Sequence, residues 1–306
     1  MGIGSRMDAA DTARPPAKPD KGSQFVLSAP KYTLSDLILP QETRQQIDQA
    51  MAFRHHQNLV FQQWGLQQTH RHSKRACLNF YGPPGTGKTM AAHAVAAALG
   101  KQLLIVNYAE IESKFVGETP KNLVAVFQRA EEADAVIFFD EADALLSKRV
   151  TNMNNATDTS VNQTRSVLLN ILNDYEKTIL FATNFIENFD PAFMRRILAH
   201  VHFTLPDANC RRQLYGMYIP SAMPHSIDVD DIARSHSGLS GSDIANAVLM
   251  AAFSAAQRGG NQVQHADMES AVQNILNGKR ANEGKTSITT REVSAAYVQQ
   301  ALEKQT

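Results

Sequence analysis

Gly82-Pro83-Pro84-Gly85-Thr86-Gly87-Lys88-Thr89 fits the pattern GxxxxGK[ST], known as Walker A. Glycines let successive backbone N–H groups curl around phosphate oxygens, and a following helix N-terminus adds partial positive charge. In such a loop Lys88 is expected to reach the β- and γ-phosphates of a nucleotide and Thr89 to ligate Mg²⁺. Farther along, Val136-Ile137-Phe138-Phe139 runs directly into Asp140 and Glu141. A buried parallel strand delivers such acids to its C-terminal end, the edge where open α/β sheets bind ligands. Asp140 is expected to hold Mg²⁺ through water, and Glu141 to orient and activate an attacking water. The bland alternatives are a Gly/Pro turn and an acidic helix cap, but the two motifs together favour nucleotide hydrolysis.

Two weaker signals follow. Ile179-Leu180-Phe181-Ala182-Thr183-Asn184 is apolar until its polar end, where Asn184 can meet the γ-phosphate or the water. Thr-Asn turns also end strands for conformational reasons alone. Asp190-Pro191-Ala192-Phe193-Met194-Arg195-Arg196 sets two arginines just ahead of another strand. Paired arginines usually form a solvated surface, but they also suit the charge on a transferring phosphoryl group.

These residues need a scaffold, and the apolar pattern supplies one. Strands are expected at Ala76–Tyr81, Leu103–Val106, Val136–Phe139, Ile179–Ala182 and His200–Phe203. Helices are expected between them, at Met90–Leu99, Pro120–Ala133 and Val161–Tyr175, after a mostly helical stretch from Leu34 to Gln62. In Pro120–Ala133 the residues Leu123, Val126, Phe127 and Ala130 share one face. Alternation of this kind predicts a five-stranded parallel sheet with helices on both faces, the α/β architecture of P-loop NTPases. After Pro206 the pattern turns helical: Cys210–Tyr218, Val229–Ser235, Ser242–Arg258, His265–Leu276 and Thr290–Leu302. The division expected is a disordered tail over 1–24, a large α/β ATPase domain over 25–204, and a smaller all-helical lid over 205–306 with a C-terminal helix.

Composition narrows the function classes. The 306 residues hold 30 Lys plus Arg and 30 Asp plus Glu, so the net charge is zero, which argues against a surface built for bare nucleic acid. No apolar run approaches a membrane span, and the first residues lack the apolar core of a secretory signal. Two cysteines, Cys77 and Cys210, are too few for a disulfide framework and point to a reduced, cytoplasmic setting. His55, His56, His70 and His72 lack Cys or carboxylate partners at metal-site spacing, and the run Arg71-His72-Ser73-Lys74-Arg75 reads as a solvated linker. No HExxH zinc-protease motif occurs.

Taken together, the motifs resemble the AAA family of ATPases in its narrow sense, the clade of protein-remodelling and unfolding motors, over residues 30 to 275. Gly82–Thr89 resembles its GPPGTGKT loop, and Asp140-Glu141-Ala142-Asp143 its DEAD/DEID-type Walker B. Asn184 matches the sensor-1 asparagine. Arg195 and Arg196 match the paired arginine fingers that act on ATP in a neighbouring subunit. Gly238-Leu239-Ser240-Gly241-Ser242-Asp243-Ile244 resembles the start of the lid helix, where Gly241 and Ser242 are the small pair near the nucleotide. Asp36-Leu37-Ile38-Leu39-Pro40 occupies the place of the family's adenine-side segment without its glycine; Asp36 and Ile38 are the adenine contacts the resemblance implies. Lys114-Phe115-Val116-Gly117 resembles the pore loop that grips polypeptide; an aromatic there offers large, sequence-tolerant contact area. The loop over 148–160, with Lys148 and Arg149, is either a second pore loop or a mobile surface loop.

The resemblance implies a homohexameric ATPase using ATP and Mg²⁺ to thread and remodel a protein substrate, with an adaptor where the tail and pore do not select it. The short tail leaves no folded N-terminal adaptor domain in this reading. A narrower version is a small remodeller of signalling complexes of the HORMA type. The competing readings are a nucleic-acid-linked AAA+ ATPase, of clamp-loader or transposition-helper type, and a nucleotide-gated scaffold with little turnover.

Overall fold

The computed structural model describes residues 25–69, 76–107, 111, 118–147, 156–186 and 189–283. Within them the chain forms two units. One runs to Asp36 and continues through Asp48–Tyr81 and Thr89–Val201; the other takes Leu37–Ile47, Gly82–Lys88 and the chain from His202 onward.

The first unit is built on a sheet. Its strands are β1 (Leu27–Ser28), β2 (Ala76–Tyr81), β3 (Leu103–Asn107), β4 (Val136–Asp140), β5 (Thr178–Thr183) and β6 (Ala199–His202), in the order β1-β3-β4-β5-β2-β6. The pairings of β2 with β5, β3 with β4 and β4 with β5 are parallel, as the buried apolar runs predict. The sheet has one strand more than the five expected. β1 pairs antiparallel with β3 at the edge, Leu27 opposite Leu104, and two residues are too few to show a period in sequence.

Helices α1 (Gln41–Asn58), α2 (Lys88–Ala98), α3 (Glu118–Glu132), α4 (Asp143–Leu146), α5 (Ala156–Asp174) and α6 (Pro191–Met194) follow in order. Leu123, Val126, Phe127 and Ala130 of α3 are all buried, so the face read from their spacing is the packed one. Phe127 meets Tyr175 edge-on at 4.9 Å, and Phe139 stacks on Phe181 at 5.2 Å between adjacent strands. Ala91, Ala92, Ala94, Val95 and Ala96 of α2 are also fully buried, small side chains that let a helix lie close to its neighbours. Where a helix was expected to continue to Gln62, α1 gives way to one turn of π-helix over Leu59–Gln63. α5 starts at Ala156, so the end of the 148–160 segment is helix and not loop; no Pro or Gly there stops it. Residues 148–155 lie outside the described residues, as do the tail over 1–24 and Thr290–Leu302.

The second unit is helical: α7 (Ala208–Tyr218), α8 (Val229–Ser235), α9 (Gly241–Gln257) and α10 (His265–Glu283). Each of the first three begins on a capping side chain. Asp207 accepts from Cys210 N, Asp228 from Asp231 N, and Ser240 forms a capping box with Asp243. Leu214, Tyr215, Ile232, Leu239, Ile244 and Met268 form its core. A two-residue parallel pair, β7 (His225–Ser226) with β8 (Val263–Gln264), adds a strand element to the helices expected. Arg211 is buried, with Nε donating to Ala233 O at 2.8 Å and Nη1 to Pro206 O at 2.7 Å, so its charge is not left bare.

Candidate nucleotide site

The phosphate loop follows β2 and opens α2, the placement its chemistry requires. Gly82 has φ +141°, and a Cβ there would lie 2.0 Å from the carbonyl oxygen of Phe203. Only glycine fits. Gly85 has φ +74°, and its Cβ would lie 2.7 Å from Ser240 Oγ and 2.9 Å from Ser242 Oγ. Thr86 is buried and donates to Pro83 O at 2.8 Å. The Lys88 ammonium is buried too, donating to Gly82 O at 2.7 Å and Pro83 O at 3.0 Å. Neutral carbonyls are weaker partners for an ammonium than phosphate oxygens. Gly241 and Ser242 lie against the loop: Ser242 N donates to Gly85 O at 3.3 Å, and a Cβ on Gly241 would lie 3.3 Å from the same oxygen.

The acid edge is built in the other unit. Thr89 Oγ1 donates to Asp140 Oδ2 at 3.1 Å, so the two residues expected to hold a cation do come together. Glu141 is exposed and has φ +51°, a left-handed conformation that costs a glutamate roughly 1–2 kcal/mol. It is held there from both sides. Its N–H donates to Asp140 Oδ1 at 3.0 Å, and Ala142 N donates to Ala182 O at 2.9 Å. Asp143, whose role the sequence left unassigned, accepts from Asn184 N at 3.2 Å and Phe185 N at 3.2 Å. It ties the turn after β4 to the turn after β5, so Asn184 and the acid pair share one edge.

A polar cluster lies inside the same sheet. Asn79 is fully buried on β2; its Nδ2 lies 3.4 Å from His200 Nδ1, and Thr183 Oγ1 donates to Asn79 Oδ1 at 3.4 Å. Burial pushes the His200 imidazole below its ordinary value, so it stays neutral at neutral pH. Asn79 was the signal for this cluster, a lone amide in an otherwise apolar strand.

The two arginines are not equivalent. Arg196 is half-buried; Nε donates to Asn173 Oδ1 at 3.0 Å and Nη1 to Ala192 O at 2.8 Å. Arg195 is exposed; its backbone N–H donates to Pro191 O at 3.4 Å, and its guanidinium makes no hydrogen bond or ion pair with the described residues. Asp36 accepts from Thr33 N at 2.7 Å and Thr33 Oγ1 at 2.8 Å, and these bonds, the backbone one foremost, hold its carboxyl below the usual range. Ile38 packs against the core of the helical unit, so Asp36 and Ile38 fall in different units. Lys114, Phe115, Val116 and Gly117 lie outside the described residues.

Residues 78–205 match the family described as "ATPase family associated with various cellular activities (AAA)". The chain carries an AAA ATPase domain. Over 270 residues it is 31% identical to the ATP-dependent zinc metalloprotease FtsH of Parabacteroides distasonis, a match covering 86% of this chain and 38% of that protein. It is 34% identical over 205 residues to the 26S proteasome regulatory subunit 8 homolog of Schizosaccharomyces pombe, covering 64% of this chain and 51% of that one. It is 34% identical over 210 residues to the proteasome-activating nucleotidase of Saccharolobus islandicus, covering 66% and 53%. The chain thus spans about half or less of the length of these relatives. Within the AAA domain, a hydroxyl and a carboxylate within hydrogen-bond reach are hard oxygen donors, a set that fits Mg²⁺. Among the described residues no helix is long and apolar enough to cross a membrane. Cys77 and Cys210 are both buried, and burial raises the Cys210 thiol to about 11.

Proposed function

We propose that this protein is an ATP-hydrolysing motor that assembles as a hexameric ring and remodels or unfolds a protein substrate. The observation that carries the reading is Thr89 against Asp140, with Glu141 as the next residue along the same edge. Lys88 exchanges its loop carbonyls for phosphate oxygens when ATP enters. Thr89 and Asp140 would hold Mg²⁺, which when bound neutralises charge on the phosphates. Glu141 orients a water and takes its proton as the water oxygen bonds the γ-phosphorus. The bond from that phosphorus to the β–γ bridging oxygen breaks, and ADP leaves with the electron pair. Asn184, set by Asp143, positions the water or the γ-phosphate.

The Arg195 side chain, which meets no partner among the described residues, reaches instead to ATP held by a neighbouring copy. Met194 and Leu198, on either side of the arginine pair, are 39% and 41% exposed, apolar surface suited to such a neighbour. The substrate is a polypeptide gripped by Phe115, and the absence of net charge disfavours nucleic acid in that place. The test is Glu141→Gln in the full chain. The proposal expects ATP to stay bound, turnover to cease, and the particle to run as a ring by light scattering. A variant that neither retains ATP nor assembles contradicts it. ATPase activity stimulated strongly by DNA and not by any protein would favour the nucleic-acid reading.

A further inference from the structure

The phosphate loop is bounded by the start of α9, and that start is itself held by a residue far along the chain. Lys279 lies on α10, 36 residues beyond Asp243. Its Nζ donates to Gly238 O at 2.9 Å and to Asp243 Oδ2. The same carboxylate oxygen accepts from Ser240 N at 2.7 Å and from Ser240 Oγ at 2.8 Å. Three donors thus converge on one oxygen at the first turn of α9, where negative charge also suits the helix N-terminus. Asp243 is partly buried, which opposes its charge; Lys279 and Ser240 outweigh this and hold the carboxyl below its ordinary value.

What this knot positions is the phosphate loop. Ser242 N donates to Gly85 O, and a Cβ on Gly241 would sit 3.3 Å from the same oxygen. Ser240 Oγ and Ser242 Oγ crowd the outer side of Gly85, whose left-handed φ shapes the turn of the loop. Every link in this series lies within one unit.

We propose that Lys279 is a positioning residue for the nucleotide. It fixes the start of α9 through Asp243 and Gly238, and the start of α9 fixes Gly85. Lys279 does not touch the phosphates. Without its ammonium the first turn of α9 loosens, and the loop loses the wall that keeps it shaped for an anion. The proposal rests on ATP binding at Gly82–Thr89.

The experiment is calorimetric titration of the full chain with ATP and Mg²⁺, beside thermal melting without nucleotide. A charge-assisted pair of this exposure is worth about a three- to tenfold change, so Lys279→Met should weaken ATP by that factor. Lys279→Arg should stay within about twofold of the wild type, because it restores a donor of the same charge. Asp243→Asn should weaken ATP as Lys279→Met does, and the double variant should be no worse than either single, as for residues acting as one unit. Asp243→Asn keeps the test open should Lys279→Met not fold. A lower melting temperature with unchanged affinity in Lys279→Met would mean a structural role only and would overturn the proposal, as would additive losses in the double variant. Failure of the wild type to bind ATP would bring down the nucleotide reading itself, a different result.

Discussion

The phosphate loop and the acid edge, which the proposal assigns to one reaction, are built in opposite ways. In the loop, Thr86 and Lys88 are buried, Gly82 is pinned against Phe203, and Gly85 is walled by Ser240 and Ser242. At the acid edge, Glu141 is exposed in a left-handed conformation; elsewhere in the same unit the exposed Arg195 side chain has no partner among the described residues. In the loop the Thr86 and Lys88 side chains find partners within one unit. Glu141 presents an exposed carboxylate and Arg195 a guanidinium without a partner among the described residues, and in the proposal hydrolysis waits on something that covers them. A second copy, lending its own Arg195, is the covering the proposal supplies.

The largest effect expected is on the arginines. Arg195→Ala should lower steady-state ATPase by about 10³-fold, the scale of an arginine finger, with no change in melting temperature. Arg196→Ala should instead lower the melting temperature by a few degrees, because it breaks the bonds to Asn173 and Ala192. Equal effects in both assays would erase the distinction between them. Next, Glu141→Gln should slow hydrolysis by at least about 10²-fold, the lower end of the usual worth of a general base. ATP affinity measured by titration should hold within about twofold, and a parallel loss of binding would break the contrast between the closed loop and the open edge.

Glycine swaps sharpen the same contrast in urea unfolding. Gly82→Ala drives a Cβ into the Phe203 carbonyl and should destabilise by about 3 kcal/mol. Glu141→Gly relieves the left-handed φ and should stabilise by about 1 kcal/mol while abolishing turnover. The smallest effect is on pH dependence. Asp243 has a folded value below 3.8, so its contribution is complete above that pH and is lost as pH falls through the folded value. Lys279→Met should therefore flatten the acid limb of the urea midpoint below about pH 4.

Much of this molecule is legible in its residues because the relevant signals are local. Gly82–Thr89 and Val136–Glu141 are contiguous, and the face of α3 repeats with helical period. The extra edge strand β1 escaped because Leu27–Ser28 is two residues long. Lys279 escaped because nothing near it in sequence marks its meeting with Asp243. Asp143 was visible within the acid motif, but its bonds to Asn184 and Phe185 span some 40 residues and appear only once β4 and β5 lie side by side. Arg195 and Arg196 are the same residue type one position apart. Asn173, 23 residues before Arg196, is what separates them, and no pattern around the pair discloses it.

The most direct measurement mixes two inactive proteins. Lys88→Ala cannot hold ATP but keeps Arg195; Arg195→Ala holds ATP but lacks the reaching guanidinium. If each site is completed by the neighbouring copy, the mixture should hydrolyse ATP well above either protein alone, at a rate that follows the fraction of mixed rings. A mixture that forms rings and still shows no activity, or an Arg195→Ala protein that turns over ATP at the wild-type rate, would contradict the account.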